Sequence, residues 1–534
     1  MRMRRSSLFS LFAVLAFTVP GRADPLPTDT PIGKAVDHYL DAKLKEDGIT
    51  PAPLADDATR IRRLTLDLLG RIPTVAETRA FVESGESDKV EKLVDRLLAS
   101  SGFVRHQANE FNAMLMAGTR GTIREYLVGA FAENRPWDQM FRELMLPDET
   151  NPKLKPASEF LRARITDLDK ATSEVSVAFF GVNISCARCH DHPRVEDWKQ
   201  DHFFGLKAFL ARTFDNGGFL AEREYGKLKF KTVKGQDKIA PFMFLTGKVA
   251  EGGLVDDPSA DAIKKEKETL ETLKKNKQPV PMAANSGRAK LVEIALQPDQ
   301  RSFFARSIVN RLWARLYGYG LVHPLDQMHA ANDPSHPELL EWLANDLIAH
   351  KYDLKRTMRG LVLSKAYSRS SRWVGEDVPR PNVFAFARVK PMTPQQMAIS
   401  LRLATTDPAT LASDTEKKIE GIEASAMGFA SLIEQPGDDF QIGVSEALLF
   451  SNGDRIQKEF LVDSADRLVG RLKTINDPTE LTEFALRTVL SREAASGEVE
   501  ALTAYLAKRT DRKVDAIKQL VWALVTSAEF RFNY

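Results

Sequence analysis

The sequence predicts a mainly α-helical protein in which two helical regions flank a small β excursion. Three observations carry this. Apolar residues recur at helical spacing in both halves of the chain. Capping and stop residues punctuate them. Only between Asn216 and Val249 does the pattern change to the polar/apolar alternation of short strands.

In chain order, Arg2, Arg4 and Arg5 precede the apolar run Leu8 to Val19, and Gly21-Arg22-Ala23 follows. Charged residues, a short apolar run and small residues in that order are the pattern of a secretory signal peptide, expected over 1-23 with cleavage before Asp24. The run is too short to cross a bilayer. The implied location is periplasmic or extracellular.

Residues 26-120 are helix-rich. Ile61 to Leu69 reads as a helix stopped by Gly70 and Pro73, and Thr74-Val75-Ala76-Glu77 supplies a capping box for the next. A helix around Glu174 to Phe180 follows. Asp191-His192-Pro193 then breaks the chain ahead of Trp198, Phe203, Phe204, Leu206 and Phe209. In the excursion, Lys227 to Val233 alternates as a strand should. Asp256 to Asn285 is rich in Lys, Glu and Asp, with Pro279 and Pro281 near its end, and reads as a solvated helix and linker.

The second half returns to helices. Phe304, Ile308, Leu312 and Leu316 make one apolar stripe that ends at Gly318 and Gly320. Arg306, Arg311 and Arg315 decorate the same helix and read as a solvated or salt-bridged face. Ser335-His336-Pro337-Glu338 reads as a capping box before Leu339, Leu340, Leu343 and Leu347. Two further helical patterns lie between Leu481 and Tyr534.

The chain has 534 residues, with 43% hydrophobic and 28% charged. That is the composition of ordinary globular domains, and it excludes a disordered or multi-span membrane chain. Beyond residue 23 the chain holds 71 Lys and Arg against 73 Asp and Glu. Bulk charge therefore points to no nucleic-acid partner, and no later apolar run is long enough for an integral membrane span in the mature chain.

Cys186 and Cys189 are the chain's two cysteines, and they stand in Cys186-Ala187-Arg188-Cys189-His190. Random placement would give this C-x-x-C-H pattern about once in 16,000 such chains. The spacing suits one covalent haem c: two thiols add to the two vinyl groups of a porphyrin, and His190 becomes the proximal iron ligand. An export signal agrees, because this attachment is made outside the cytoplasmic membrane. Three other uses of the pair stay open: a thioredoxin-type redox pair, a zinc site with His190 and His192, and a plain disulfide. The aromatics after the motif either wall the haem or fill the core. On the haem reading, residues 26-215 form a helical haem-bearing domain, 216-285 a β excursion and charged linker, and 286-534 a helical partner domain.

Several segments resemble a known family. Arg62-Arg63-Leu64-Thr65-Leu66-Asp67-Leu68-Leu69-Gly70-Arg71-Ile72-Pro73-Thr74 is similar to the opening of the planctomycete cytochrome domain family, whose reaction is not established. Cys186 to Pro193, Trp198-Lys199-Gln200-Asp201 and Gly205 to Phe209 resemble its haem-motif segment. Asn310-Arg311-Leu312-Trp313, Gly318 to Val322, Pro334 to Leu340, Ser364-Lys365-Ala366-Tyr367 and Glu529 to Tyr534 resemble the partner domain that commonly follows. The resemblance implies an exported, haem-bearing protein. The chain departs from the family at Arg105-His106-Gln107, where a tryptophan is replaced.

His106 occupies the histidine position of that family segment and is the first candidate for a distal iron ligand; Met243, Met328 and His329 are others. No G-x-S-x-G, P-loop, H-E-x-x-H or EF-hand loop occurs. The leading reading is an exported c-type cytochrome that transfers electrons to a redox partner protein. A second is a non-haem binding or scaffold protein whose C-x-x-C-H holds a disulfide or zinc. A third is an oxidoreductase component acting on an extracellular substrate, such as a carbohydrate, with haem as the electron outlet.

Overall fold

The computed structural model describes residues 25-192, 195, 196, 198-436 and 443-534. The segment 1-23, read as a signal peptide, lies outside them, as does Pro193.

The chain is mainly helical, with short antiparallel strand pairs between helical regions. The first region contains α1 (Ile32–Glu46), α2 (Asp57–Leu69), α3 (Val75–Val82), α4 (Lys89–Ala99), α5 (Ser101–Leu115) and α6 (Arg124–Ala132). It continues with α7 (Trp137–Met145), α8 (Glu159–Arg162), α9 (Leu168–Phe180) and α10 (Gln200–Ala208). Two hairpins follow, β1 (Thr213–Asp215) with β2 (Leu220–Glu222) and β3 (Lys229–Lys231) with β4 (Asp237–Ile239). β2, β3 and β4 fall within the expected excursion, and β1 lies just before it. The charged stretch forms α11 (Ala260–Lys275), a helix without a buried residue, as its composition predicts.

Next come α12 (Gly287–Ala295), α13 (Ser302–Tyr317), α14 (Pro337–Ala349) and α15 (Leu354–Val362). Strand β5 (Lys390–Pro391) leads into α16 (Pro394–Ala404), α17 (Thr415–Ala430), α18 (Val444–Asn452), α19 (Leu468–Lys473) and α20 (Pro478–Leu490). The chain closes with α21 (Ser496–Ala507), α22 (Lys513–Val525), α23 (Ala528–Arg531) and β6 (Phe532–Asn533). β6 pairs antiparallel with β5, a long-range pairing.

Local signals set several boundaries. Asp56 caps α2 by accepting from the Thr59 amide, and Gly70, at φ 72°, ends it in the left-handed region. The capping box at Thr74 forms as expected, with Glu77 N donating to Thr74 Oγ1 at 3.2 Å and Thr74 N to Glu77 Oε2 at 2.7 Å. The expected box at Ser335 does not form. The helix begins at Pro337, which has no amide to satisfy, so His336 is the N-cap and makes no side-chain cap bond.

The arginines of α13 correct a second expectation. Arg306 pairs with Glu341 at the surface. Arg311 and Arg315 are partly buried and reach the first region: Arg311 donates to the Val177 carbonyl and Arg315 to Gln107 Oε1, both at 2.6 Å. They join the helical regions.

Two apolar cores result. The larger runs from Ile32 to Phe384 and draws on helices before and after the β excursion. The smaller runs from Met392 to Phe530 and takes Leu66 and Ile72 from the α2 segment. Helix α2 thus serves both, since Ile61, Leu64, Leu68 and Leu69 face the larger core.

Its polar residues secure the joint. Arg62 donates to the Phe530 carbonyl at 2.9 Å, and Arg63 to the carbonyls of Tyr534 at 3.1 Å and Arg369 at 2.9 Å. Asp67 accepts from Tyr367 Oη at 2.7 Å, Lys390 Nζ at 2.8 Å and Asn533 Nδ2 at 2.8 Å. A buried carboxylate is tolerated when its lone pairs are this fully used. Burial lowers the Lys390 pKa, against the opposing pull of Asp67.

Candidate functional site

The C-x-x-C-H segment lies directly after α9. Asp167 caps that helix by accepting from the amides of Asp169 and Lys170, each at 3.1 Å. Gly181, at φ 69°, ends it. A side chain there would meet Ser307 and the Leu325 carbonyl, so glycine permits both the left-handed turn and the close approach of the second helical region. Val182 and Ile184 are fully buried and anchor the exit.

Asn183 then starts a tight turn. Its Oδ1 accepts from the Ser185 amide at 3.2 Å and the Ser185 hydroxyl at 2.7 Å, an Asx turn. Ser185–Arg188 is a single 3-10 turn. Cys186 lies within this turn and Cys189, three residues on, caps its end. Both are exposed free thiols, while Ala187 between them is fully buried.

His190 is exposed, and its Nδ1 lies 2.7 Å from the Asp191 carbonyl oxygen. A carbonyl only accepts, so Nδ1 carries the proton, and in the neutral ring the Nε2 lone pair is left to ligate. Such a bond is the usual second-shell support of a ligating imidazole.

Gln200, the first residue of α10, holds the turn from below. Its Nε2 donates to the carbonyls of Arg188 at 3.2 Å and Cys189 at 3.3 Å, and its amide donates to Asp191 Oδ1 at 3.2 Å. Its Oε1 accepts from the Val233 amide at 2.9 Å. One side chain therefore ties the cysteine turn to α10 and to the β3-β4 turn.

The other side of the segment meets a loop from the second helical region. The Asn183 amide donates to the Asp326 carbonyl at 2.7 Å, the Met328 amide to the Gly181 carbonyl at 3.0 Å, and Val182 bridges Gln327. This brings His329 next to the motif. Its ring lies 5.5 Å from Trp198 and 6.0 Å from His192, and Trp198 packs edge-on to His192 at 5.7 Å. Burial, with His192 adding to it, lowers the His329 pKa.

The other expected residues are more dispersed. Phe203, Leu206 and Phe209 are fully buried and fill the larger core, and Phe204 stacks on Phe230 at 4.2 Å. Met243 packs against Gly205 of α10. Met328 is buried beside Gly181.

His106, on α5, stands in another polar cluster. Its Nδ1 is 4.0 Å from Glu110 Oε1, and the ring packs against Gly70. Burial, with Arg315 adding to it, pushes its pKa down to about 3. The contact with Glu110 is thus not an ion pair at neutral pH, and none of these partners belongs to the cysteine turn.

The donor set fits a covalent haem: two exposed thiols three residues apart at one turn and an imidazole with an oriented lone pair. Among the described residues, no group of three or more His, Cys, Asp or Glu is arranged to hold a metal ion, and no helix is long and apolar enough to cross a membrane. Reasoning from sequence alone placed Gln200 in a family-like segment but gave it no role, since that role depends on the β3-β4 turn 33 residues away.

The family model PSCyt2, described as a protein of unknown function (DUF1549), matches residues 35–215, and PSD1, likewise of unknown function (DUF1553), matches 287–418. No curated protein and no solved structure matches the chain. With the cysteine turn inside the first match and the His329 loop inside the second, the chain belongs to the family in which the planctomycete cytochrome domain precedes its partner domain.

Proposed function

We propose that the protein is an exported monohaem c-type cytochrome that passes electrons between redox partners. The observation that carries the reading is the geometry of the C-x-x-C-H turn: both thiols exposed three residues apart at one turn, and His190 Nδ1 bonded to a carbonyl so that Nε2 is free to ligate. Cys186 and Cys189 would each form a thioether, sulfur bonding one vinyl carbon as hydrogen adds to the other. His190 would bind the iron. A haem so held supplies a one-electron couple.

The chain's own residues orient the site. Gln200 fixes the carbonyls of Arg188 and Cys189, and the Asp191 carbonyl fixes the imidazole. Trp198 and the 323-332 loop shield one flank. The family name of the first domain and the signal-like sequence of residues 1-23 support the same reading.

Expression with a cytochrome c maturation system tests it. The expected product carries the mass of one covalent haem, shows a reduced-minus-oxidised α band, and loses both in Cys186→Ala/Cys189→Ala. A colourless protein of unmodified mass, from a host that matures a control cytochrome, would overturn the reading.

A further inference from the structure

The hairpin β3-β4 lies beside the cysteine turn. From Lys227 to Lys238 it holds five lysines and one acidic residue, Asp237, in a chain that beyond residue 23 has slightly more acidic than basic residues. Two of the five are paired, Lys227 with Asp256 and Lys238 with Asp201, each at less than 3 Å. Lys229, Lys231 and Lys234 are exposed, and none makes an ion pair among the described residues.

The alternation of the strand explains their direction. Phe230 points inward and stacks on Phe204 of α10 at 4.2 Å with the rings 13° apart. Its neighbours Lys229 and Lys231 therefore point to solvent. At the tip, the Val233 amide is bound to Gln200, whose other end holds the carbonyls of Arg188 and Cys189. Three lysines without an ion pair among the described residues are thus fixed to the scaffold that carries the thiols. Val233 and Ile239, both exposed, place apolar surface among them. Fixed charge around exposed apolar groups is the composition of a surface that steers and seats an oppositely charged protein.

We infer that the β3-β4 hairpin is the docking face for an acidic redox protein, which it would seat at the edge of the haem site. The inference rests on the cytochrome reading for its electron-transfer consequence. With haem bound, the step would move one electron from the reduced haem to the cupric ion of an acidic cupredoxin, with no bond formed or broken.

Two measurements test it. In the first, binding of poly-L-glutamate to the full chain should weaken about tenfold in Lys229→Glu/Lys231→Glu/Lys234→Glu and as salt rises from about 20 to about 200 mM. It should be unchanged in Lys264→Glu/Lys265→Glu/Lys267→Glu, which alters the equally exposed lysines of α11. In the second, oxidation of the haem-loaded protein by an acidic cupredoxin should slow about tenfold in the hairpin variant. Oxidation by the cation tris(phenanthroline)cobalt(III) should not slow.

Equal losses in the two variants, or none in the hairpin variant, would overturn the inference. So would tighter hairpin-dependent binding to phosphatidylglycerol vesicles than to polyglutamate, which would make the face a lipid contact. A protein without covalent haem would remove the electron-transfer reading, while polyglutamate binding would still report on the hairpin.

Discussion

His106 shows how one residue's surroundings decide what its type leaves open. A histidine in a segment that resembles the family's is a natural ligand candidate, and the structure buries this one among Gly70, Glu110 and Arg315. Its folded pKa of about 3 lies below the ordinary 6.5. Between those values the unfolded chain binds a proton that the folded chain refuses, so the stability is complete above pH 6.5 and is lost as pH falls. From pH 7 to pH 5 the loss is about 2 kcal/mol. Burial raises the neighbouring Glu110 pKa, which acts in the opposite sense. His106→Gln should therefore lose about 2 kcal/mol less than the parent over that interval by urea unfolding, with an unchanged haem spectrum. A shifted Soret band would instead make His106 an iron ligand. The sequence made Cys186, Cys189 and His190 readable because their chemistry needs only local spacing. It left Gln200 unreadable, because that side chain acts through three carbonyl and amide partners brought together by folding.

At the scale of elements, local signals were legible and cross-chain ones were not. The Thr74 capping box is contained in four residues, and both of its bonds form. Arg311 and Arg315 have an ordinary surface spacing on α13, but their acceptors are supplied by α9 and α5. The box also carries charge. Burial opposes ionisation of Glu77, but the Arg71 guanidinium outweighs it through its charge and two hydrogen bonds of 2.8 Å, and Thr74 adds to this, bringing the pKa down to about 2. The stability from this depressed carboxyl is present above pH 4.5 and is lost as pH falls toward 2. Thr74→Ala should cost about 1 kcal/mol at pH 7. Glu77→Gln should cost more at pH 7 than at pH 3, because the parent has by then lost part of the same contribution. Equal costs of Glu77→Gln at both pH values by urea unfolding would refute this account of Glu77.

For the whole molecule, the helical class and the strand excursion followed from periodicity, whereas the arrangement of the two cores did not. Periodicity shows that a face is buried, without showing which neighbour buries it. The charged linker looks like a boundary in sequence, and α11 is indeed solvated. Yet the larger core contains Phe179, Phe180 and Phe244 from before the linker and Phe304, Trp313 and Leu361 from after it. Phe141 packs on Phe304 with ring centroids 5.0 Å apart, and Trp137 stacks on Phe304 at 5.9 Å. Aromatic contacts of this kind add to a buried area that a chain break in the linker leaves intact. Cleavage within 256-275 should therefore give two fragments that co-elute at the intact size and separate only in denaturant. Fragments that part in native buffer would show that the residues on the two sides of the linker do not share one core. Co-elution would also explain the long-range bonds from the cysteine segment to the 323-332 loop: the site is assembled from both sides of the linker, and its integrity depends on the core beneath it.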